Sequence, residues 1–418
     1  MRKFLVVLSS FLILATFACS KPGSTEVPKT TDETPAATSR IRVSREGSEA
    51  SEPAIAATAD GKFLIAYVEK DADGKGDLFV RSFDASKKLG EPARVNPEPG
   101  QVRSWYGDPP TMEVAPDGTI YVGWTSRYPD TAKGTLLFVS ASRDGGATFD
   151  EPVKVHSDTA PASHGMHSLA VASDGRVIVA WLDERYLKAE TAKVGASPFL
   201  AFFHHTPTPK AEAEPDAELY FSVSSDGGQT FAQDKRIDAQ VCPCCKTSLA
   251  IAADGTIYLG YRKVYPGSLR HITVISSKDG QTFGEPAAVS DDRWKLEACP
   301  VSGPALQMDN GRLAVAWYSG GEAREHGMYL THATNADAKT FDIPQVLDGF
   351  DGGGTPAWAG DQLLWSNDGN VRATTMTAPA ANLGEGRNLA AAANVRGTVV
   401  AFVSTTESKK SVWLEVAK

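Results

Sequence analysis

Apolar and polar residues alternate along most of this chain, in short runs interrupted by tight turns. In five places an apolar run is followed by Asp-Gly or Asn-Gly and then by a second alternating run that ends near an aromatic residue. Period-two alternation is typical of half-buried strands, and these dipeptides tolerate the positive φ angles of hairpin turns. The pattern predicts five β-hairpins: SEPAIAATADGKFLIAYV, GDPPTMEVAPDGTIYVGW, HGMHSLAVASDGRVIVAW, CCKTSLAIAADGTIYLGY and VSGPALQMDNGRLAVAWY.

Two weaker copies, TPAWAGDQLLWS and NLAAAANVRGTVVAFV, bring the number of repeats to seven. A third apolar run follows each hairpin, and a fourth short run such as ARVNP or VKVHS follows the third in most repeats. Repetition of one four-stranded unit is typical of a β-propeller. The aromatic position of the seven repeats reads Tyr67, Trp124, Trp181, Tyr261, Trp317, Trp365 and Phe402.

The last repeat ends at SVWLEVAK and lacks a fourth strand of its own. The segment SRIRVSRE near the N-terminus has the same alternating character, so we expect Arg40–Ser44 to pair with Ser411–Val416 and leave no free sheet edge. The sequence therefore predicts an all-β fold, a seven-bladed β-propeller over residues 40–418 that is closed by its N-terminal strand. Six blades is the alternative, because the repeat around Trp365 is short.

Three repeats carry a further motif after the third strand: SRDGGATF, SSDGGQTF and SSKDGQTF. These segments resemble the Asp-box of the sialidase (BNR-repeat) superfamily. Asp144 and Asp226 are expected to accept backbone N–H groups across the turn, and Phe149 and Phe231 to pack into the blade. The third copy has Lys278 at the aspartate position, which predicts a weaker turn.

The resemblance implies a propeller, but the sequence departs from true sialidases at the Arg-Ile-Pro motif that helps to bind the substrate carboxylate. That place reads Ser51-Glu52-Pro53. A serine loses the charge-assisted pair, and Glu52 would repel a carboxylate. Sialidase-type hydrolysis would need an acid, a base and a nucleophile. The candidates are Asp108 as acid, Glu184 as base and Tyr318 as nucleophile, and no local motif singles them out. Arg103, Arg185, Arg262 and Arg270 could form another arginine cluster.

The first 19 residues predict export. Arg2 and Lys3 precede an apolar run that is too short to span a bilayer, and the run ends in Ala18-Cys19. This resembles a bacterial lipobox, with Thr16 as a departure, and implies lipidation at Cys19; an ordinary signal peptide is the alternative. Residues 20–39 are rich in Pro, Thr, Ser and Glu and are expected to form a disordered tether.

The net charge argues against one class of partner. Removal of the signal peptide changes the formal charge from −9 to −11, and so acidic a protein is not expected to bind nucleic acid. We expect a location at the cell envelope, with a lipid anchor in the outer membrane or at the cell surface.

Three of the five cysteines lie in the segment VCPCCKTS. Alignment of the first strands places Cys242, Cys244 and Cys245 at the same height as Cys299 of the next repeat and as His164 and His167 of the preceding one. The same face is expected to carry an insertion between about Leu182 and Glu218, which could cover the channel as a lid, whereas His156 and His332 are expected to lie elsewhere.

Soft sulfur and imidazole ligands suit copper or zinc, and the sequences HGMH and EHGM place methionine beside histidine, which favours copper. Structural disulfides are the main alternative, because an even number of exported cysteines usually pairs. A redox-reactive dithiol is a third interpretation.

Three function classes follow from these patterns. The first is a tethered propeller, non-hydrolytic, that binds a small ligand or a soft metal ion at its Cys/His face. The second is an exo-sialidase or other glycoside hydrolase acting on glycans at that face. The third is a scaffold that docks another envelope protein.

Overall fold

The computed structural model describes residues 40–84, 86–128, 134–159, 161–186, 217–375, 380–406 and 409–417. The predicted signal peptide, Cys19, the tether and residues 187–216 of the predicted lid lie outside these ranges.

The described residues form strands and no helix, so the all-β prediction is confirmed. Among them there is consequently no helix long and apolar enough to cross a membrane. The strands are β1 Ile41–Arg42, β2 Glu49–Ala57, β3 Phe63–Lys70, β4 Gly76–Phe83, β5 Ala93–Arg94, β6 Thr111–Val114, β7 Ile120–Arg127, β8 Thr135–Ser142, β9 Val153–Lys154, β10 His164–Val171, β11 Val177–Asp183, β12 Ala217–Ser224, β13 Lys235–Val241, β14 Ser248–Ile251, β15 Ile257–Tyr265, β16 Leu269–Ser277, β17 Ala287–Ala288, β18 Ala305–Asp309, β19 Arg312–Ser319, β20 Gly327–His332, β21 Gln345–Gly349, β22 Ala357–Ala359, β23 Gln362–Asn367, β24 Asn370–Thr375, β25 Ala381–Glu385, β26 Arg387–Asn394, β27 Gly397–Thr406 and β28 Lys409–Ala417.

Each repeat forms an antiparallel meander in which neighbouring strands of the sequence pair. The strand orders are β2-β3-β4-β5, β6-β7-β8-β9, β18-β19-β20-β21 and β22-β23-β24-β25, and one larger sheet joins β10–β13 to β14–β17. The junction in the larger sheet is a single pairing between Val241 and Lys263. The sixth repeat has a fourth strand, β25, which the hydrophobic pattern did not reveal because that strand is half-exposed.

The first strands of successive repeats contact one another around a ring: β2, β6, β10, β14, β18, β22, β26 and again β2. The last sheet has the order β1-β28-β27-β26, in which Ile41 pairs with Leu414 and Arg42 with Trp413. The N-terminal strand thus occupies the outer position of the sheet that the C-terminus forms.

The second strand of each repeat carries the aromatic residue that fills the core between sheets. Trp124, Trp181, Trp317 and Trp365 are all buried. Their indole N–H groups keep a partner, as expected for buried tryptophan: that of Trp181 donates to Asp183 at 2.9 Å and that of Trp317 to Asp292 at 2.8 Å.

The Asp-box turns form as predicted in the two intact copies. Asp144 accepts the backbone N–H groups of Ala147 and Thr148 at 3.0 Å each, and Asp226 accepts the N–H of Thr230 at 2.9 Å. In the third copy another residue supplies the acceptor. Asp279, one position after Lys278, accepts the N–H of Thr282 at 2.7 Å, so the carboxylate has moved by one residue and the turn keeps its acceptor.

Candidate functional site

The loops that lead into β10, β14 and β18 lie side by side and are held by short polar contacts. We call these segments the inlet loops; they comprise residues 155–159 with 161–163, 242–247 and 289–304. The Thr247 hydroxyl donates to the Met166 carbonyl at 3.0 Å, and the backbone N–H of Leu306 donates to the Ser248 hydroxyl at 3.0 Å. A Cβ at Gly303 would lie 2.0 Å from the Lys246 carbonyl oxygen, so only glycine allows these loops to approach so closely.

All four candidate cysteines meet in the second and third inlet loops. Cys244 and Cys299 form a disulfide between adjacent repeats. Because these two sulfurs are bonded to each other, the four cysteines do not present four thiolates in this form of the protein. The alternative of fully paired structural disulfides is not realised either, since Cys242 and Cys245 are free thiols.

The two free thiols form a close, buried pair. The Sγ atoms of Cys242 and Cys245 are 3.4 Å apart, and the Sγ atom of Cys242 is 3.8 Å from that of Cys244. Both free thiols have no exposed surface. Three sulfur atoms therefore lie within 4.8 Å of one another, a spacing that could hold a metal ion.

Two arginines supply positive charge at this pair. The guanidinium of Arg270, at the start of β16, lies 2.8 Å from the Sγ atom of Cys242. Arg262 is wholly buried and donates to the carbonyls of Ser302 at 2.9 Å and Tyr318 at 3.0 Å. The sequence suggests these arginines as members of a possible arginine cluster, and in the structure Arg270 donates to a sulfur atom.

Burial by itself would raise the pKa of Cys245, but the hydrogen bond from Cys242 and the charge of Arg262 outweigh it and lower that pKa to about 7. The pKa of Cys242 is raised, chiefly by its hydrogen bond to Cys245 and then by burial. The pair therefore shares one proton, and a single negative charge is stabilised near neutral pH.

The two histidines predicted as ligands bind other partners. The Nδ1 atom of His167 lies 3.2 Å from the Asp108 carboxylate. The Nε2 atom of His164 lies 2.9 Å from Asp158. Both rings therefore face carboxylates.

The expectation for His156 is wrong. Its ring stacks on that of His164 with centroids 3.6 Å apart, so it lies at the same inlet loops. It was missed because the predicted fourth strand VKVHS includes it, whereas β9 ends at Lys154, and no local pattern shows where the chain turns towards the next repeat. Asp158, which contacts both rings, was missed because no pattern marks this turn.

The three weak catalytic candidates occupy different environments. Asp108 is buried beside His167 and 3.5 Å from the ammonium of Lys246; burial would raise its pKa, but His167 and Lys246 lower it. Tyr318 is buried, and its hydroxyl accepts the backbone N–H of Gly352 at 3.0 Å. Glu184 is half-buried after β11, and its backbone N–H donates to Ser163 at 3.0 Å.

The arginines of the possible cluster contact different partners. Arg185 pairs with Asp183 and Asp234 at 2.7 Å each, and Arg103 lies over the Trp105 ring at 5.2 Å. Glu52, which follows Ser51 in the segment Ser51-Glu52-Pro53, is buried and accepts a hydrogen bond from Ser104 at 2.6 Å. Its backbone φ is +61°, which a non-glycine residue rarely adopts.

No protein-family model and no curated protein matches this sequence. Among solved structures, an ulvan lyase of polysaccharide lyase family PL25 has a TM-score of 0.54 at 10% identity, covering 88% of this chain and 94% of its own. The α-L-arabinofuranosidase Arb93A from Fusarium graminearum has a TM-score of 0.50 at 13% identity, covering 92% and 98%. At such identities the likeness shows the fold alone, and that fold is a β-propeller.

Proposed function

We propose that this protein is an envelope-tethered, seven-bladed propeller that binds Cu(I) through the thiol pair Cys242 and Cys245. The observation that carries the proposal is the 3.4 Å approach of two unoxidised, buried sulfur atoms. Soft thiolates favour Cu(I), zinc and iron–sulfur clusters over the harder biological ions. The adjacent Cys244 sulfur would become a third ligand only after reduction of its disulfide.

Charge favours a monovalent ion at this place. Two thiolates and Cu(I) together carry one negative charge, which the guanidinium of Arg270 can balance. Structural zinc takes four protein ligands, and the disulfide withdraws two of the four sulfurs. Copper therefore fits the oxidised form better than zinc does.

Replacing both free thiols, as Cys242→Ser with Cys245→Ser, is expected to weaken Cu(I) binding at least 100-fold, because hydroxyl groups are poor ligands for a soft ion. The measurement is competition with a chromophoric Cu(I) chelator under anaerobic conditions. Met308→Leu is the matched control, since it removes a sulfur atom outside the cysteine cluster and should bind like the parent. Equal affinity in the double serine variant would refute the proposal.

A glycan-acting function is the second candidate, and it would use the polar side chains of Glu52 and Lys246. The Oε2 atom of Glu52 is buried with no hydrogen-bond partner among the described residues, and the charge of Lys246 lies close enough for the two side chains to influence each other. The two enzymes compared above, an ulvan lyase and an α-L-arabinofuranosidase, are both named for glycan substrates. Assay of aryl glycosides and of uronate-containing polysaccharides with the parent and with Glu52→Gln tests this candidate; no turnover by the parent would exclude these substrates.

We also propose that Cys19 is lipidated and holds the propeller at the cell envelope, where it could meet a second envelope protein. Cys19→Ala is expected to release soluble protein or to block maturation, because the thioether to the lipid cannot form. Fractionation of cells expressing parent and variant measures this. Unchanged retention of the variant in the membrane fraction would contradict it.

A further inference from the structure

A second cluster of metal-ligating side chains lies in the first inlet loop and at the start of β10, and it involves no cysteine. The Asp158 carboxylate lies 2.6 Å from Nδ1 of His156 and 2.9 Å from Nε2 of His164. Both histidine side chains are fully buried, and that of Asp158 is 14% exposed. Burial of so many ionisable groups needs a compensating interaction.

The hydrogen bonds of His164 fix its tautomer. Its Nδ1 atom lies 2.6 Å from the carbonyl oxygen of Thr135, which can only accept, so Nδ1 carries the hydrogen. In the neutral ring the Nε2 atom then presents a lone pair to Asp158 at 2.9 Å and to Asp183 at 3.4 Å. A lone pair directed at two carboxylates is repelled unless a positive centre lies between them.

The same reasoning applies to His156. Its Nδ1 atom is 2.6 Å from the carboxylate of Asp158, so it donates, and Nε2 keeps the lone pair. Nε2 of His156, Nε2 of His164 and Oδ2 of Asp158 are all buried and lack a well-formed hydrogen bond to any described residue. Buried polar atoms in folded proteins rarely stay unsatisfied, and a bound ion would supply a partner of the kind that these atoms lack.

The charged side chains around this cluster carry more negative than positive charge. Three carboxylates lie here, those of Asp158, Asp183 and Asp234, and the guanidinium of Arg185 contacts all three within 3.6 Å. Protonation of both imidazoles would add charge, but their stacked rings would then repel each other. The solvent-exposed Lys154 reaches only the backbone carbonyl of Asp158.

We infer that His156, His164 and Asp158 bind a divalent metal ion of borderline softness, with Zn²⁺ as the best fit. One ligand atom from each residue lies within 4.8 Å of the others. Tetrahedral zinc separates its nitrogen and oxygen ligands by about 3.3–3.5 Å, given bond lengths of about 2.0–2.1 Å. The histidine nitrogens lie closer than this to the Asp158 carboxylate, so the His156 ring must turn out of its stack to complete the site. The carbonyl of Thr135 already orients His164, as a hydrogen-bond partner of a metal-binding histidine does.

The experiment uses the full chain with Cys242→Ser and Cys245→Ser, in which the remaining described cysteines are in the disulfide. We expect this protein to bind one equivalent of Zn²⁺ with a rise in its thermal midpoint. We expect His156→Asn and Asp158→Asn, added to that background, to weaken binding at least tenfold. His332→Asn is the matched control, because its ring pairs with Asp309 in another repeat, and it should bind like the background.

Cobalt supplies a readout that does not depend on mutating the cluster. Co²⁺ bound to the serine background should show visible ligand-field bands without the near-ultraviolet charge-transfer band of a cobalt–thiolate bond. Absence of Zn²⁺ and Co²⁺ binding by this folded background would overturn the inference, and so would unchanged affinity in His156→Asn. Neither result bears on Cu(I) binding at the thiols, because the thiols are absent throughout.

Discussion

Deletion of residues 40–46 is expected to lower the free energy of unfolding by on the order of 4 kcal/mol or more. The deletion exposes the edge of β28, where Ile41 and Arg42 pair, and removes the fully buried side chain of Val43. Burial of one valine stabilises by about 1.5–3 kcal/mol. Loss of Arg45 leaves the 2% exposed side chain of Glu69 without its 2.6 Å ion pair, which costs about 1–3 kcal/mol more.

Urea unfolding of the truncated and parent chains measures this difference. Deletion of residues 21–38 is the control, because that segment has the composition of a solvated tether and should change the free energy of unfolding little. Equal stability of the two truncations would contradict closure of the ring by the N-terminal strand. A lower slope against urea in the 40–46 deletion would indicate that the last repeat unfolds separately.

The repeat architecture was predictable because its determinants are local. Alternation, turn dipeptides and the buried aromatic of each second strand all lie within about 18 residues of one another in the sequence. The pairing of β1 with β28 joins opposite ends of the chain, yet the missing fourth strand of the last repeat pointed to it. The carboxylate shift from Lys278 to Asp279 was not predictable from the motif, because a turn can accept the same N–H groups from either of two adjacent positions.

The site was predictable in its location but not in its connectivity. Alignment placed Cys299 beside the other three cysteines, but it could not say which of them Cys299 bonds. That choice depends on the backbone: the N–H of Cys242 donates to the carbonyl of Arg262 at 2.8 Å, and the Cys242 sulfur lies beside Arg270. Cys244 is left facing Cys299. Likewise, the contacts of His164 with Asp158 and of His167 with Asp108 could not be predicted, because these carboxylates come from other segments of the chain.

Arg262→Met is expected to lower the free energy of unfolding by about 3 kcal/mol or more. The buried guanidinium joins the repeats through its bonds to the carbonyls of Ser302 and Tyr318 and lies 4.7 Å from the Trp294 ring centroid. Hydrogen bonds from a charged group contribute about 1.5–3 kcal/mol each, and methionine keeps only part of the packing. Arg176→Met is the control, because that arginine pairs with Asp174 at the surface, where an ion pair contributes about 0–1 kcal/mol.

The same substitution is expected to change how stability depends on pH. In the parent, the folded pKa of Cys245 is lowered to about 7 from an ordinary value of 9.0. A lowered pKa stabilises the folded state fully above the ordinary value, and this contribution is lost as pH falls through about 7. Stability should therefore rise between pH 7 and 9 in the metal-free parent, whereas the raised pKa of Cys242 opposes any further rise above that window.

Without the charge of Arg262 the pKa of Cys245 moves up, so the rise should shrink in Arg262→Met and persist in Arg176→Met. Urea unfolding at several pH values, with thiolate absorbance followed in parallel, measures both effects. An unchanged pH profile in Arg262→Met would show that the charge of Arg262 does not lower the pKa of Cys245.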